Sequence, residues 1–302
     1  MHELRHLDLN LLKTLDALLD ERSVTRAAKR LALTQPAVSA MLNRLRDSFG
    51  DPLFIRTARG ITPTVRAEGL AVPVKALLRD IASLLAPPQF NPATTTMTLS
   101  LSATDYALRA IVQPFALRLQ TEAPHLRLAV RTIDEAQAGS LLERGDIDIA
   151  IVTEPTVPPE MHARQLYTER YVCALRAGHP DAGKPLTLER FCALPHALVS
   201  LAGDPFSGVT DRALAVHGLE RKVALSLQSF LFLIAMLKQT DLMAVVPARL
   251  IVPGEGLIAL EPPLEIAGFT KMMAWHARTH HHPGYQWLRR VLAEVCAVQA
   301  EE

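Results

Sequence analysis

The first 50 residues carry leucine, valine and alanine at intervals of three and four positions, the pattern of amphipathic helices. It predicts three short helices with apolar positions at Leu11, Leu12, Leu15, Leu18 and Leu19, at Val24, Ala27, Ala28 and Leu31, and at Val38, Leu42, Leu45 and Phe49. Ser23 and Thr34 are predicted N-caps of the second and third helices. Pro36 falls in the first turn of the third helix, where a missing N–H costs little.

The pattern changes twice over the next 40 residues. Two short extended runs flank a turn signal at 58–60 and predict a small β-hairpin. Residues 64–86 predict one long helix, with Pro73 as a point where it can kink. Two prolines at 87–88 end that helix, and the polar run after them is a predicted linker.

Beyond the linker, strand-like runs alternate with stretches of helical periodicity, which predicts parallel α/β sheets. The strand-like runs are residues 98–104, 126–132, 147–153, 170–176, 196–201, 222–227, 242–247 and 271–277. Roughly 200 residues with this many strands predict two α/β lobes rather than one. A ligand is then expected between the lobes, at the carboxyl ends of strands and the amino ends of helices.

The second and third predicted helices match a helix-turn-helix, whose last helix enters the major groove of DNA. Opposite its apolar residues this helix presents Pro36, Ala40, Asn43 and Asp47, with Ser39 and Arg44 flanking them and Gln35 at the helix start. Gln35, Ser39 and Asn43 can hydrogen-bond base edges. The arginines that can reach guanine or phosphate are Arg44 and Arg46 on the helix and Arg56 and Arg59 on the hairpin, which suits a wing against the DNA backbone or minor groove. The competing interpretation is a solvated pair of helices with incidental arginines. It does not account for the agreement of cap, turn, exposed face and hairpin.

Composition and charge fit this picture. The chain has 302 residues, 49% hydrophobic and 21% charged, as expected of an ordinary globular protein of two or three domains. Its formal net charge is +1, but residues 1–90 hold 13 Lys and Arg against 9 Asp and Glu, so a basic module precedes a more neutral remainder. No apolar run is long enough to span a membrane and the first residues do not resemble a secretory signal, so we expect a cytoplasmic protein without a membrane partner.

The cysteines Cys173, Cys192 and Cys296 are too widely spaced for a CxxC metal site or a disulfide framework, which fits a reducing compartment. We expect buried thiols, with a redox pair of Cys173 and Cys192 as the less favoured alternative. The three histidines at 280–282 are expected in a polar surface turn rather than at a metal, because adjacent residues cannot easily direct three imidazoles at one ion.

The run from Leu9 to Thr64 closely resembles the DNA-binding domain of LysR-type transcriptional regulators. The family's motifs are present as Ser23, Thr25, Ala27 and Ala28, then Thr34, Gln35, Pro36, Ala37 and Ser39, then Leu53, Phe54 and Arg56. With the arginines above, the predicted DNA-binding residues are Ser23, Thr25, Arg26, Thr34, Gln35, Pro36, Ser39, Asn43, Arg44, Arg46, Arg56 and Arg59.

The resemblance extends over the full chain and implies its organisation. Residues 1–63 would form a winged helix-turn-helix DNA-binding domain, 64–94 a dimerising linker helix and hinge, and 95–302 a two-lobed α/β effector domain of periplasmic-binding-protein type. The first lobe would comprise about 95–165 and 269–302, and the second about 166–268. The runs RYVCALRAGHP and DLMAVVPARL are most similar to the subgroup that includes nodulation and aromatic-degradation regulators.

The same resemblance implies the partners. They are double-stranded DNA with an inverted-repeat operator, a second copy of the chain in a homodimer or homotetramer, RNA polymerase, and a small effector such as an aromatic or carboxylate metabolite. Effector binding would shift lobe closure, and with it the spacing of the DNA-binding pairs and the DNA bend.

The predicted effector-binding residues are Ser102, Thr104 and Asp105, then Thr153 and Glu154 where the chain is expected to cross between lobes, and Phe206 and Phe230 on the second lobe. Two alternatives stay open. Thr104 or Asp105 can simply cap a helix, and Phe206 and Phe230 are more readily explained as core residues than as stacking partners. Hydroxybenzoate-sensing regulators of the subgroup place histidines in this cleft, whereas Glu169 and the Phe206 region stand at the corresponding places here. This departure argues against salicylate-like effectors.

Three functions are compared. The motifs favour an effector-controlled transcriptional regulator, and the alternative is an architectural DNA-binding protein or repressor without a ligand response. The third function is an enzyme or transport binding protein. No GxSxG, Walker, GxGxxG or HExxH motif occurs in the sequence, so we expect no enzyme, no catalytic residue, no metal and no cofactor.

Overall fold

The computed structural model describes residues 8–57, 60–85, 90–201 and 204–298. The chain forms two compact units, Met1–Pro87 and Pro88–Glu302. No helix in the described part of the chain is both long and apolar enough to cross a membrane.

The first unit contains the predicted helices and hairpin. Its elements are α1 (Leu9–Glu21), α2 (Val24–Arg30), α3 (Gln35–Phe49), β1 (Phe54–Thr57), β2 (Gly60–Pro63) and α4 (Val65–Leu85). Ser23 and Thr34 are the N-caps of α2 and α3, as predicted, and the two strands pair antiparallel from Phe54 with Pro63 to Thr57 with Gly60. The apolar faces of α1, α2 and α3 meet with Leu53, Phe54 and the start of α4 in one core.

The second unit alternates strands and helices. In chain order it contains β3 (Thr98–Ser102), α5 (Asp105–Ala107), a π-helical turn (Leu108–Val112), α6 (Gln113–Glu122), β4 (Arg127–Arg131), α7 (Ala138–Arg144), β5 (Ile149–Thr153), β6 (His162–Glu169), β7 (Tyr171–Arg176), α8 (Leu188–Ala193), β8 (Pro195–Val199), α9 (Val209–Ala215), β9 (Lys222–Leu227), α10 (Phe230–Leu237), β10 (Met243–Pro247), β11 (Leu257–Leu260), β12 (Phe269–Trp275) and α11 (Pro283–Val298). All eight predicted strands are present within a few residues of their expected bounds.

Two sheets form the two lobes, as expected. Among the described residues the first-lobe sheet has the order β4-β3-β5-β12-β6 and the second-lobe sheet the order β11-β7-β10-β8-β9. One hydrophobic cluster extends through both lobes, with Leu101 and Phe115 in the first and Leu233 and Val246 in the second. The lobes therefore share a continuous apolar contact in addition to the chain connections.

The expectation of parallel sheets is only half right. The pairs β3–β4, β3–β5, β8–β9 and β8–β10 are parallel, whereas β12 is antiparallel to β5 and β6, and β7 is antiparallel to β10 and β11. The strands β6, β7 and β12 adjoin the places where the chain passes between lobes. Such a strand joins its sheet without a βαβ crossover, so nothing requires it to run parallel.

The chain passes between the lobes at two places. It leaves the first lobe at Arg170, between β6 and β7, and returns through residues 261–268, between β11 and β12. The expected crossing at Thr153–Glu154 is therefore wrong, because after β5 the chain makes a short 3-10 turn and re-enters the same sheet as β6.

Candidate nucleic-acid interface and ligand cleft

Helix α3 divides into a buried side and an exposed side. Val38 and Leu45 are fully buried in the core of the first unit, and Leu42 is almost so. Gln35 and Asn43 are exposed and Ser39 is half-buried, and these three residues follow each other at intervals of four along one side of the helix. The structure thus brings together three short polar side chains that can donate to and accept from base edges.

The N-cap residues Ser23 and Thr34 use their hydroxyls to cap their own helices. Ser23 Oγ accepts from the backbone N–H of Arg26 and Thr34 Oγ1 from that of Ala37, both at 3.4 Å. Thr25 and Pro36 are exposed next to them. Each cap thus satisfies one of the backbone N–H groups in the first turn of its own helix.

The predicted arginines differ in what they contact. Arg26 pairs with Glu21 at 3.3 Å and Arg44 lies 3.6 Å from Asp8, and both are exposed pairs that are worth little in free energy. Arg56 is exposed on β1, whereas Arg59 lies outside the described residues.

Arg46 is engaged within the domain. Its Nε donates to the carbonyl of Pro52 at 2.8 Å and its Nη2 to the carbonyl of Phe54 at 3.0 Å. Its Nη1 donates to Asn43 Oδ1 at 3.2 Å. The guanidinium therefore connects α3 to the strand that carries Arg56.

In the second unit, Ser102, Thr104 and Asp105 lie together where β3 ends and α5 begins. Ser102 is 1% exposed, and Thr104 occupies the N-cap position, although within the described residues its hydroxyl makes no capping hydrogen bond. Asp105 Oδ2 accepts from the backbone N–H of Leu231 at 3.3 Å. Asp105 therefore reaches the amino end of α10 in the opposite lobe. The side chains of Thr104 and Asp105 do not cap α5, so the alternative in which they serve only as helix caps is wrong.

The two carboxyl oxygens of Asp105 differ. Oδ1 is buried and has no hydrogen-bond partner among the described residues, and the same is true of Arg109 Nε one helical turn further on. A buried polar atom without a partner is unfavourable by about 1–3 kcal/mol unless a bound molecule satisfies it. The π-helical turn Leu108–Val112 contains Arg109, and such turns are frequent at functional sites.

Thr153 hydrogen-bonds to both members of a buried ion pair, Lys271 and Glu135, in the first lobe. Lys271 is 3% exposed, and its Nζ lies 2.9 Å from Glu135 Oε1 and 3.2 Å from Thr153 Oγ1. The Thr153 N–H donates to Glu135 Oε2 at 2.8 Å. Burial opposes ionisation of Glu135, but the Lys271 ammonium and the Thr156 hydroxyl outweigh it and hold the pKa of that carboxyl below its usual range. Glu154, by contrast, is exposed.

The two predicted phenylalanines occupy different environments. Phe230, in the first turn of α10, packs edge-on against Tyr106 with ring centroids 6.2 Å apart. Phe206 is 57% exposed, so the interpretation of Phe206 as a core residue is wrong. Among the large apolar residues of the second lobe, Leu201, Phe206, Leu231 and Phe232 are all substantially exposed at the carboxyl ends of β8 and β9.

Sequence analysis missed a buried polar cluster at the first crossing between lobes. Tyr106 donates a short hydrogen bond to Glu169 Oε2 and lies 2.9 Å, oxygen to oxygen, from Tyr167, which must then be the donor of that pair. The Arg249 guanidinium lies 3.8 Å from the Tyr167 ring centroid, and its Nε is 4.0 Å from Glu169. Burial and the neighbouring Glu169 raise the pKa of Tyr106 well above its usual range, so Tyr106 remains a donor. The period-two spacing of Tyr167 and Glu169 was the available signal.

Charged residues from the two lobes also meet directly. Arg109 Nη2 lies 2.6 Å from Glu255 Oε2, and Lys238 Nζ lies 3.7 Å from the same oxygen. Arg109, Lys238, Arg249 and Lys271 thus each have a carboxylate of the same chain within 4.0 Å.

The remaining candidate groups are the cysteines and the three adjacent histidines. Burial raises the pKa of the Cys173 thiol to about 12 and also raises that of Cys192, so both thiols are protonated at neutral pH. His280 stacks on His162 at 4.0 Å between centroids and accepts from Trp275 Nε1 at 3.2 Å. Of the three adjacent histidines, His281 is exposed, whereas His280 and His282 are half-buried. The expected polar surface turn is therefore partly buried. In the described ranges no three His, Cys, Asp or Glu side chains converge as a metal site.

Comparison with known proteins covers both units. Residues 9–68 match the bacterial regulatory helix-turn-helix protein, lysR family, and residues 93–297 match the LysR substrate binding domain. The HTH-type transcriptional activator NagR of a Ralstonia species is 35% identical over 297 residues, which cover 97% of this chain and 98% of NagR. Nodulation protein D 2 of Bradyrhizobium sp. (strain NC92) is 35% identical over 294 residues, which cover 95% of this chain and 86% of that protein.

A solved structure agrees with these matches. The probable transcriptional regulator PA0477 from Pseudomonas aeruginosa has a TM-score of 0.58 and 34% sequence identity, and the alignment covers 97% of this chain and 98% of PA0477. The helix-turn-helix, the two-lobed α/β unit and the full-length similarity lead to one assignment: the chain belongs to the LysR family of bacterial transcriptional regulators, with a DNA-binding helix-turn-helix domain and a substrate-binding domain.

Proposed function

We propose that this regulator reads an inverted-repeat operator with the exposed side of α3, and that an effector held between the lobes of its second unit controls the result. The observation that carries the DNA part is the polar strip of Gln35, Ser39 and Asn43, which runs along α3 beside the buried Val38 and Leu45 and stays accessible to solvent. In this assignment the strip contacts base edges, Ser23, Thr25, Thr34 and Pro36 approach the backbone, and Arg26, Arg44, Arg56 and Arg59 contact phosphates.

Two copies of the chain are needed to occupy the two halves of such an operator. The carboxyl-terminal part of α4 supports this, because Leu77, Ile81, Leu84 and Leu85 follow the i, i+4, i+7, i+8 spacing of an apolar stripe, and Leu84 and Leu85 are 83% and 82% exposed. We infer that the linker region 64–94 pairs two chains through this carboxyl-terminal stripe of α4, and that two such dimers form a tetramer.

The effector occupies the space between the lobes in this proposal. Supporting it are Asp105, which reaches α10 of the second lobe, and the exposed aromatic residues Phe206 and Phe232. Arg109, Arg249 and Lys271 each have a carboxylate of this chain within 4.0 Å, whereas Asp105 Oδ1 and Arg109 Nε have no hydrogen-bond partner among the described residues. We therefore favour an aromatic effector that carries a hydrogen-bond donor for Asp105 Oδ1 and a neutral acceptor for Arg109 Nε over a carboxylate. Ser102, Thr104, Thr153, Glu154 and Phe230 line the same space in this proposal.

The proposed mechanism is coupling between the two units. An effector that binds one arrangement of the lobes more tightly shifts the population toward it, and the spacing of the DNA-binding pairs changes with that population. RNA polymerase is the partner that would respond to the altered promoter complex. The protein would act in the cytoplasm as a regulator and not as an enzyme.

Operator binding tests the DNA part. A duplex selected from random sequence by the full chain should contain an inverted repeat, and log K should fall linearly with log salt, by about 0.9 per phosphate contacted. Binding that does not depend on salt would contradict the proposal.

The effector part is tested separately. The thermal midpoint of the full chain is measured with matched benzyl alcohol, benzamide and benzoate, followed by footprinting of the operator with any compound that raises it. A ligand that raises the midpoint and changes the footprint supports the proposal. A broader metabolite set that changes neither would favour a repressor or architectural protein without a ligand response.

A further inference from the structure

Arg46 makes contacts that a phosphate-binding arginine does not need. Each of its three guanidinium nitrogens donates a hydrogen bond, toward Pro52 O at 2.8 Å, Phe54 O at 3.0 Å and Asn43 Oδ1 at 3.2 Å. A guanidinium can make such a fork, whereas an ammonium is a compact point charge. The bonds join the last turns of α3 to the residues that begin the hairpin.

The other side of the hairpin is held as well. The backbone N–H of Ile61 in β2 donates to the carbonyl of Arg22, at the end of α1, at 3.2 Å. Gly60 has φ +129°, and a Cβ added there would lie 2.8 Å from that carbonyl oxygen, so the strand approaches α1 as closely as glycine permits. Asp51 Oδ1 accepts from Leu53 N at 2.7 Å and from Thr64 Oγ1 at 2.9 Å and so ties the two ends of the hairpin together.

The hairpin is therefore fixed to α1 on one side and to α3 on the other, and Arg46 is the connection to α3. Arg56 lies on β1 two residues after Phe54, whose carbonyl Arg46 binds. The direction in which Arg56 leaves the domain thus depends on Arg46. The bond to Asn43 Oδ1 has a second effect, since it leaves the amide N–H groups of Asn43 to donate to a base acceptor.

We propose that Arg46 is a positioning residue, which sets the wing and Asn43 relative to α3 and does not itself contact DNA. This inference rests on the proposed function, because it takes Arg56 as a phosphate contact. It replaces the expectation that Arg46 reaches guanine or phosphate.

The test is a double-mutant cycle in the full chain, with R46A, R46K, R56A and the R46A/R56A double variant. Affinity for a mixed-sequence DNA duplex is measured against salt concentration, at temperatures where thermal unfolding shows each variant folded. R56A should flatten the plot of log K against log salt by about 0.9, the value for one phosphate contact. R46A should do the same, and the double variant should flatten the plot no further.

R46K separates charge from geometry. Lysine keeps the positive charge but cannot make the fork, so a positioning residue predicts that R46K binds as weakly as R46A, and a phosphate contact predicts that it binds like the wild type. R46K also serves as the readout if R46A does not fold.

Three results would overturn the inference: wild-type affinity in R46K, a flattening of about 1.8 in the double variant, twice the value for one contact, or an R56A variant that binds like the wild type. Failure of the wild-type chain itself to bind DNA would instead remove the proposed function. The two failures are therefore distinguishable.

Discussion

Gln35, Ser39 and Asn43 are the polar residues of α3 that the proposed function places against base edges. Each is small enough for the helix backbone to approach a groove floor, and each carries a hydrogen-bonding group. Ser48 is an exposed serine on the same helix whose hydroxyl donates to the carbonyl of Arg44 at 2.9 Å, toward the other end. Ser39 is therefore a candidate base contact, and Ser48 is a matched control on the same helix.

We expect Gln35→Ala and Ser39→Ala to reduce discrimination between operator and mutated operator by about 1–3 kcal/mol each, because each removes a base contact. Affinity for mixed-sequence DNA should change little. Arg56→Ala should weaken binding to both DNAs about equally. The measurement is a titration of each variant with both duplexes.

Ser48→Ala is the control for Ser39→Ala and should leave both affinities unchanged. Equal loss on both duplexes for Ser39→Ala and Arg56→Ala would contradict the division into base and phosphate contacts.

A second residue-scale feature is the buried His196 of the second lobe. Its Nε2 bonds the carbonyl of Phe191 at 2.7 Å, and its Nδ1 lies 3.2 Å from Arg221 Nη1, which itself pairs with Asp211. Burial lowers the pKa of His196 to about 4, the Phe191 carbonyl opposes this, and the Arg221 guanidinium adds to it. His196 is therefore neutral in the folded protein at pH values where an unfolded histidine is already charged.

Since the folded pKa lies below the unfolded value of 6.5, the contribution of His196 is fully present above pH 6.5 and is lost as pH falls toward 4. We expect this to remove up to about 3 kcal/mol of unfolding free energy across that window. His196→Gln should make the pH dependence of the thermal midpoint shallower between pH 7 and 5, and His217→Gln, at an exposed histidine of the same lobe, is the control. An unchanged slope in His196→Gln would contradict the assignment.

At the scale of elements, α4 has two kinds of surface. Ala67 and Val74 are buried against the first unit, whereas Leu84 and Leu85 are almost fully exposed where the helix ends. Exposed adjacent leucines at a helix end are unfavourable in water, and a second copy of the same helix can cover them. Val65 is 88% exposed at the other end of α4 and lies outside the carboxyl-terminal stripe.

We expect the Leu84→Glu/Leu85→Glu variant to shift the chain toward the monomer and to lower operator affinity, because it places charges in the proposed pairing surface. Val65→Glu should leave the assembly intact. Sedimentation velocity over a concentration series measures the assembly state of both variants, and titration with the operator duplex measures their affinity for DNA. A double variant with the same mass as the wild type would exclude this part of α4 from the interface.

At the scale of the whole molecule, the contacts that matter for effector binding are those between the two lobes of the second unit. Asp105 of the first lobe binds the amino end of α10 in the second, and Arg109 pairs with Glu255 across the same boundary. These contacts exist only while the lobes are together, so any molecule entering between them must compete with or complete them. Asp134 makes a similar bond to the N–H of Ala136 at 3.1 Å, but within one lobe.

We expect Asp105→Ala to expose the Leu231 amide and to speed its hydrogen exchange roughly fivefold, the equivalent of a hydrogen bond worth about 1 kcal/mol. Asp134→Ala should leave the Leu231 amide unaffected. Exchange followed by mass spectrometry on the peptide containing α10 measures both variants. Equal exchange in the wild type and Asp105→Ala would show that Asp105 does not hold the lobes together.

The sequence predicted the local features well. The caps Ser23 and Thr34, the hairpin, the long helix and eight strands depend on neighbours within a few residues, and such interactions leave periodic and turn signals. Two strands gave no such signal. The first half of β6 is His162-Ala163-Arg164-Gln165, an exposed edge with few apolar residues, and β11 has only four residues. The apolar side of α3, with Val38, Leu42 and Leu45, was likewise predicted correctly, because it follows from helical spacing.

What the sequence alone determined was the type of each element, the two α/β lobes and, through its motifs, the family. Only the tertiary structure decided the strand directions, the crossing at Arg170 and the use of Arg46 as a connection to the wing. It also decided which polar groups meet at the lobe boundary, since Tyr106 and Glu169 are 63 residues apart and Asp105 and Leu231 are 126 apart. Local patterns arise from the backbone's own periodicity, whereas the choice of which distant residues meet depends on how the finished sheets pack and is not determined by local spacing.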